Sequence, residues 1–385
     1  MGLKFIASVF KKIFIIHFMP GNTPPMMSSR PFKKTVTTPL LEWFDSHGRH
    51  DLPWQHPRDA YRVWISEIML QQTQVKTVIP YFNRFITQFP TLQTLALASE
   101  DNVLSHWSGL GYYSRARYLH QTAKIIHTTY HDIFPEDISI LVTLPGIGPS
   151  TAAAIASLAF QKPTAILDGN VKRVLSRYFL VDGNIQQTST HKTLWQLAND
   201  CMSPDRCADY TQAIMDLGAT CCTVKNPKCT TCPLQNTCLA YIEDKVALYP
   251  NKTPKKIRPT KQQQFLLLHT DQQKIYLEKR PPKGIWGGLW CLPSMDSVDC
   301  PKTYMAIAYG LTLEKIDPLM TLKHAFTHFL LHINALSVYI PNPNESEYSG
   351  YWVAPHELSG LGLAKPVRVI LDYFLGLDRS VSSER

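Results

Sequence analysis

One stretch, "CCTVKNPKCTTCPLQNTC" at residues 221–238, constrains the chain more than any other. From Cys222 the spacing is C-x6-C-x2-C-x5-C, so Cys222, Cys229, Cys232 and Cys238 fall within 17 residues. Four thiolates that close in sequence can wrap a single centre. A tetrahedral zinc and an iron–sulfur cluster both accept that donor set, and spacing alone leaves both open. Cys221 stands beside them as a fifth thiol. The remaining four of the nine cysteines, Cys201, Cys207, Cys291 and Cys300, are scattered. One tight cluster plus scatter in a long chain indicates a metal site in a reducing compartment rather than a disulfide framework.

The segments around this cluster follow two different patterns. Residues 36–248 are mainly helical by periodicity, with helices over 62–76, 78–88, 114–130, 150–160, 170–179, 190–202 and 207–219. "YPNKTPKKIRPTKQQQ", 249–264, holds three prolines, four lysines and an arginine, which makes a basic, extended linker. Beyond it, 265–378 turns to strand-forming runs such as "FLLLHT", "KIYLEKR", "FLLHINALSVYI" and "YWVA". The expected fold class is therefore multidomain: an all-α domain, a basic linker and a smaller α+β domain. Residues 1–35 contain short apolar runs broken by Lys11 and Lys12, with no stretch long enough to span a membrane. They are expected to be an unstructured extension or to reflect a start assigned too early, with Met19, Met26 or Met27 as alternatives, in a cytoplasmic protein. The net charge of +9 favours a polyanionic partner.

Three further stretches suggest chemistry. In "LPGIGPSTAAAIA", 144–156, Gly146 and Gly148 allow a tight turn, and Pro149 suits the first position of the helix that follows. Such a turn presents backbone N–H groups at a helix N-terminus, a site for a DNA phosphate held without sequence readout. A plain turn between packed helices is the competing account. In "ILDGNVKRV", Asp168 precedes a Gly-Asn pair and a basic helix. It can cap that helix, hold a carboxylate at a cleft, or do both. In "ISEIMLQQTQ", Glu67, Gln71 and Gln74 recur at i, i+4 and i+7 beside a buried stripe of Ile65, Ile68 and Met69. Amides suit base edges, and a half-buried Glu can act as an acid near neutral pH.

Taken together, "LPWQ", "VWISEIMLQQTQV", "GLGYYSRAR", "LPGIGPST", "LDGNVKRV", "QAIMDLGA" and the four-cysteine segment resemble the MutY-type adenine DNA glycosylases. These belong to the helix–hairpin–helix superfamily that includes endonuclease III, and the resemblance covers about residues 36–376. It implies a [4Fe–4S] cluster on Cys222, Cys229, Cys232 and Cys238. It also implies Glu67 as the acid that protonates adenine at N7, and Asp168 as the carboxylate that stabilises the cationic sugar. Bifunctional relatives carry a lysine at the position of Ser150, so the serine implies base removal without strand scission. Gly146, Gly148 and Ser150 would hold the DNA backbone, and Gln71 and Tyr112 would wedge the duplex. Asn170 would serve beside Asp168, and Trp54 would line the pocket, although a core tryptophan is the simpler account. Tyr113 is expected to be a core residue.

The C-terminal part resembles the family's Nudix-like domain, without the glutamate signature for metal between Gly284 and Leu313, so no pyrophosphatase activity is expected. Phe326, Thr327 and His328 align with a loop that reads 8-oxoguanine, with threonine where the family usually has serine. The implied partner is double-stranded DNA bearing adenine opposite 8-oxoguanine or guanine, bound by a monomer with no membrane association. Three other accounts compete: a lyase acting on oxidised pyrimidines, a non-catalytic DNA-binding protein and an iron–sulfur electron carrier. Ser150, the pair Glu67 and Asp168, and the size of the remaining domain argue against them in turn.

Overall fold

The computed structural model describes residues 32–251, 257–296, 299–313 and 315–377. A π-helical turn at Lys33–Thr37 runs into α1 (Thr38–His47). Next come α2 (Ala60–Leu70), α3 (Val75–Gln88), α4 (Leu92–Leu97), α5 (Glu100–Trp107) and α6 (Ser114–Tyr130). They are followed by α7 (Ile138–Leu141), α8 (Pro149–Phe160), α9 (Gly169–Tyr178), α10 (Thr188–Cys201), α11 (Cys207–Asp216) and α12 (Leu239–Ile242). The C-terminal part contains β1 (Thr260–His269), β2 (Ile275–Lys279), β3 (Trp290–Cys291), β4 (Ser294–Asp296) and α13 (Pro301–Tyr309). It ends with β5 (Asp317–Ala325), β6 (Leu330–Tyr339), β7 (Tyr351–Val353) and α14 (Lys365–Phe374).

The described residues form two compact units: 32–48 with 167–251, and 49–166 with 257–377. Packing therefore divides the chain differently from composition, which placed one boundary at 249–264. Helices α2–α8 share a unit with the strands because α5 and the loop after it hold the sheet directly. Asp101 takes the Lys279 ammonium at 2.9 Å and the Trp290 indole N–H at 3.2 Å. The Ser108 hydroxyl donates to the Leu363 carbonyl at 3.1 Å. A Cβ on Gly362 would lie 2.6 Å from that of Leu104, so only glycine lets the two backbones approach this closely.

Three boundaries depart from the sequence expectation. The helix at the N-terminus already begins at Lys33, inside the segment 1–35 read as an extension, and Val36 is buried. Residues 1–31 lie outside the described residues. Strand β1 starts at Thr260, inside the expected linker, and Thr260–Gln264 pair in parallel with Leu330–Asn334. Ladder hydrogen bonds need only the backbone, so a run of glutamines can extend a strand whose apolar half, Phe265–Leu268, is buried. The helix expected over 62–76 ends at Leu70: Gln71 has φ −55° and ψ 112°, Gln72 has φ +58°, and Gln74 stands at the N-cap position of α3 without a side-chain capping bond. Glu67, Gln71 and Gln74 therefore do not share one helical face.

The sheet runs β3-β2-β1-β6-β5, with β4 paired to β1 and β7 to β2. Leu266, Leu268, Tyr276, Val338, Ile340 and Met305 form its core on the α13 side. The turn between β5 and β6 carries Phe326–Phe329, closed by the Phe326 N–H on the Phe329 carbonyl at 2.9 Å. Among the described residues no helix is long and apolar enough to cross a membrane.

Candidate active site

Helix α2 begins at Asp59, whose carboxylate accepts the Arg62 N–H at 2.8 Å. Val63–Ser66, Ile68 and Met69 are buried, so α2 is enclosed almost all round. Glu67 alone in that run is half-buried, an ionisable group carried on a core helix. The helix packs on α8, and the Gln71 amide lies 3.4 Å from the Thr151 hydroxyl in the first turn of α8.

The glycine turn precedes α8 as expected, with Pro149 at N1 and Ser150 next to it, half-buried. Its two glycines have different roles. Gly146 has φ +78°, and a Cβ there would meet Tyr118 Cβ at 2.9 Å, so both conformation and packing require glycine. Gly148 has φ −87°, which any residue adopts, and a Cβ there would meet nothing within 4 Å. Both glycines allow the tight turn, but only Gly146 uses backbone angles that other residues avoid. The Thr122 hydroxyl holds the turn to α6 through the Pro145 carbonyl at 2.8 Å.

Beside this, Tyr112 is 44% exposed and reaches the β5–β6 hairpin, its hydroxyl 3.1 Å from that of Thr327. Thr327 and His328 are exposed at the hairpin tip. Phe326 is held beneath by stacking on Phe329 at 4.5 Å and by Trp286 at 5.3 Å. Trp54 occupies a core position, 4% exposed and edge-on to Phe82 at 5.4 Å. Tyr113 is buried too, its hydroxyl accepting the Gly109 N–H.

Asp168 belongs to the other unit. It caps α9, accepting the Val171 N–H at 2.7 Å and the Asn170 amide at 3.0 Å. Desolvation by burial raises its carboxyl above the ordinary range, against the pull of these hydrogen bonds. Arg173 continues the chain of contacts: its Nη2 donates to Asn170 Oδ1 at 2.9 Å and its Nε to the Cys222 carbonyl at 2.7 Å. Gly218 makes room, since a Cβ there would lie 2.5 Å from that of Asn170. Arg177, on the same helix, donates to Cys222 Sγ at 3.3 Å and to the Thr223 carbonyl at 2.7 Å.

Cys222, Cys229, Cys232 and Cys238 are half-buried and sense one another electrostatically. Burial raises the Cys222 and Cys229 thiols and pushes Cys238 up to about 12. Cys232 is raised chiefly by a hydrogen bond with Cys221, whose own thiol is lowered by it. Among the described residues no three such donors are drawn close enough to hold a single metal ion. The donor set suits a thiolate-bound group, because Arg173 and Arg177 lie where its negative charge would need offsetting.

Residues 65–200 match the model of the HhH-GPD superfamily base excision DNA repair proteins, and residues 264–373 match that of the NUDIX domain. The chain is 40% identical over 344 residues to the adenine DNA glycosylase of Buchnera aphidicola subsp. Schizaphis graminum (strain Sg), covering 87% of this chain and 97% of that one. The chain belongs to the adenine DNA glycosylase family. The Homo sapiens adenine DNA glycosylase is 44% identical over 210 residues, which is 52% of this chain and 38% of the human one. Among solved structures, a thermostable thymine-DNA glycosylase superposes with a TM-score of 0.51 at 28% identity, over 56% of this chain and all 100% of that one.

Sequence reasoning gave no role to two residues that organise this adenine DNA glycosylase. Arg115 and Arg173 lie in "GLGYYSRAR" and "LDGNVKRV", yet they are 7% and 8% exposed, too buried for phosphate-facing arginines. The available signal was position: each follows a glycine by four residues, in the first turns of a helix.

Proposed function

We propose that this adenine DNA glycosylase removes adenine paired with 8-oxoguanine or guanine and leaves an abasic site without cutting the strand. Glu67 donates a proton to adenine N7 once the base has left the stack, which improves the leaving group. Asp168, as a carboxylate, stabilises the positive charge that grows on the sugar as the C–N bond breaks, and water completes hydrolysis. Asn170 and Arg173 keep that carboxylate pointed and hydrogen-bonded. Gly146 and Gly148 lead the DNA backbone to the start of α8, where Ser150 offers a hydroxyl and no amine. A Schiff base therefore cannot form there.

Gln71 and Tyr112 fill the space left in the duplex, and Phe326, Thr327 and His328 read the base opposite. The observation that carries this reading is the Tyr112–Thr327 contact, which supports a wedge and a reading loop acting on one base pair. Cys222, Cys229, Cys232 and Cys238 would hold a [4Fe–4S] cluster. When bound, it supplies a rigid crosslink and a redox couple.

Base-loss rates on duplexes with adenine opposite 8-oxoguanine, guanine, cytosine and thymine test the reading. Excision opposite the first two alone is expected. Equal rates opposite all four would contradict it.

A further inference from the structure

Arg115 is the second residue of α6 and is 7% exposed. Its Nη1 is shared among three carbonyls: Ile68 and Met69, each at 2.8 Å, and Gln71 at 2.6 Å. A helix leaves its last carbonyls without intrahelical partners, and here one guanidinium nitrogen takes those of Ile68, Met69 and the following Gln71, while that of Leu70 accepts the Thr73 N–H at 3.1 Å. Nη2 turns the other way, to the Gly111 carbonyl at 3.1 Å and the Thr73 hydroxyl at 3.3 Å. The same group lies over the Trp107 ring at 5.3 Å and the Tyr112 ring at 5.4 Å. Each turn it binds holds a non-glycine residue in the left-handed region, Gln72 at φ +58° and Tyr112 at φ +50°. Such backbone is costly and persists only where its surroundings fix it.

We propose that Arg115 is a positioning residue for base extrusion. One rigid fork ties the Gln71 turn to the Tyr112 turn, so the two wedging side chains meet the duplex as a pair at a fixed separation. This rests on the adenine-excision reading above. A lysine gathers its donors at one point, which can sit against one turn only, whereas the planar fork sends Nη1 to one turn and Nη2 to the other.

The test uses the full-length protein and the variants Arg115→Met and Arg115→Lys. Single-turnover base loss is measured on two duplexes, one with adenine opposite 8-oxoguanine and one with adenine opposite an abasic-site analogue, where nothing needs wedging. 2-Aminopurine in place of the adenine reports extrusion by its fluorescence. Arg115→Met is expected to lose at least about tenfold on the paired duplex and less than about threefold on the unpaired one. The 2-aminopurine signal should fall on the paired duplex alone.

If Arg115→Met does not fold, Arg115→Lys, which keeps the charge and one turn, is expected to show the same split with smaller amplitude. Equal losses on both duplexes in a folded variant would make Arg115 a support of the Glu67 helix and overturn the proposal, as would no loss on either. A wild-type protein that releases adenine from neither duplex would sink the excision reading itself, and the proposal with it.

Discussion

The hydroxyls of Tyr112 and Thr327 lie 3.1 Å apart, joining the loop before α6 to the tip of the β5–β6 hairpin. A partly exposed hydrogen bond of this kind contributes about 0.5–1.5 kcal/mol. Thr327→Ser keeps the hydroxyl and is expected to preserve the preference for adenine opposite 8-oxoguanine over guanine. Thr327→Val keeps the shape, loses the hydroxyl and should reduce that preference by roughly two- to tenfold. Relative single-turnover rates on the two duplexes check this. Equal preference in both variants would remove Thr327 from lesion reading.

Asp168 sets the pH behaviour. Burial raises its carboxyl, so the folded protein binds that proton more tightly than the unfolded chain does. Its ionised form costs stability at neutral pH, and the cost is relieved as pH falls through the raised value. The stability difference between wild type and Asp168→Asn should therefore shift in favour of wild type on acidification. On the proposed role of Asp168 as a carboxylate that stabilises the sugar cation, catalysis runs the opposite way. The acid limb of the excision rate should lie above the ordinary carboxylate range. Thermal melts and single-turnover rates across mildly acidic pH test both signs. An acid limb within the ordinary carboxylate range would show that desolvation does not govern Asp168.

The two turn glycines should separate folding from binding. Gly146→Ala meets both a left-handed backbone and the Tyr118 side chain, and should destabilise the fold by about 1 kcal/mol or more. Gly148→Ala meets nothing within the protein and should cost less, about 0.5 kcal/mol, because Gly148 holds the N-cap of α8, where alanine is disfavoured relative to glycine. Its added methyl would instead stand between the turn and a phosphate, so duplex affinity should drop. Unchanged affinity in Gly148→Ala would remove that glycine from the DNA contact.

Loss of the thiolate centre should act on one unit first. Cys229→Ser is expected to lose bound iron and the associated visible absorbance. Hydrogen exchange should accelerate across 167–251, where Arg173 and Arg177 are anchored to the cysteine segment, more than across 49–166. Full iron content in Cys229→Ser would exclude that residue as a ligand.

Local signals in the sequence were reliable where the cause was local. Pro149 at the start of α8 and Asp168 as the cap of α9 follow from backbone rules that act within a few residues. The end of α2 was missed because its cause lies in Arg115, 44 residues beyond Gln71, and periodicity carries no trace of it. Strand β5 was missed for a different reason. "DPLMTLKHA" pairs only with β6 and stays half-exposed, so lysine, histidine and threonine interrupt the apolar alternation that marks an inner strand. The helix at "NVKRV" is basic in sequence, yet Arg173 turns inward to Asn170 and the Cys222 carbonyl. Charge in a sequence does not reveal which way a side chain faces.

The chemistry proposed for this site is adenine excision by Glu67 and Asp168 with no amine nucleophile at Ser150. It is tested most directly by single-turnover reaction of a duplex carrying adenine opposite 8-oxoguanine, analysed with and without alkali, for wild type and Glu67→Gln. The predicted result is strand breakage in wild type only after alkali, and a loss of about 10²–10⁴-fold in Glu67→Gln with binding retained. Breakage of the wild-type product without alkali, or full activity in Glu67→Gln, would contradict the account.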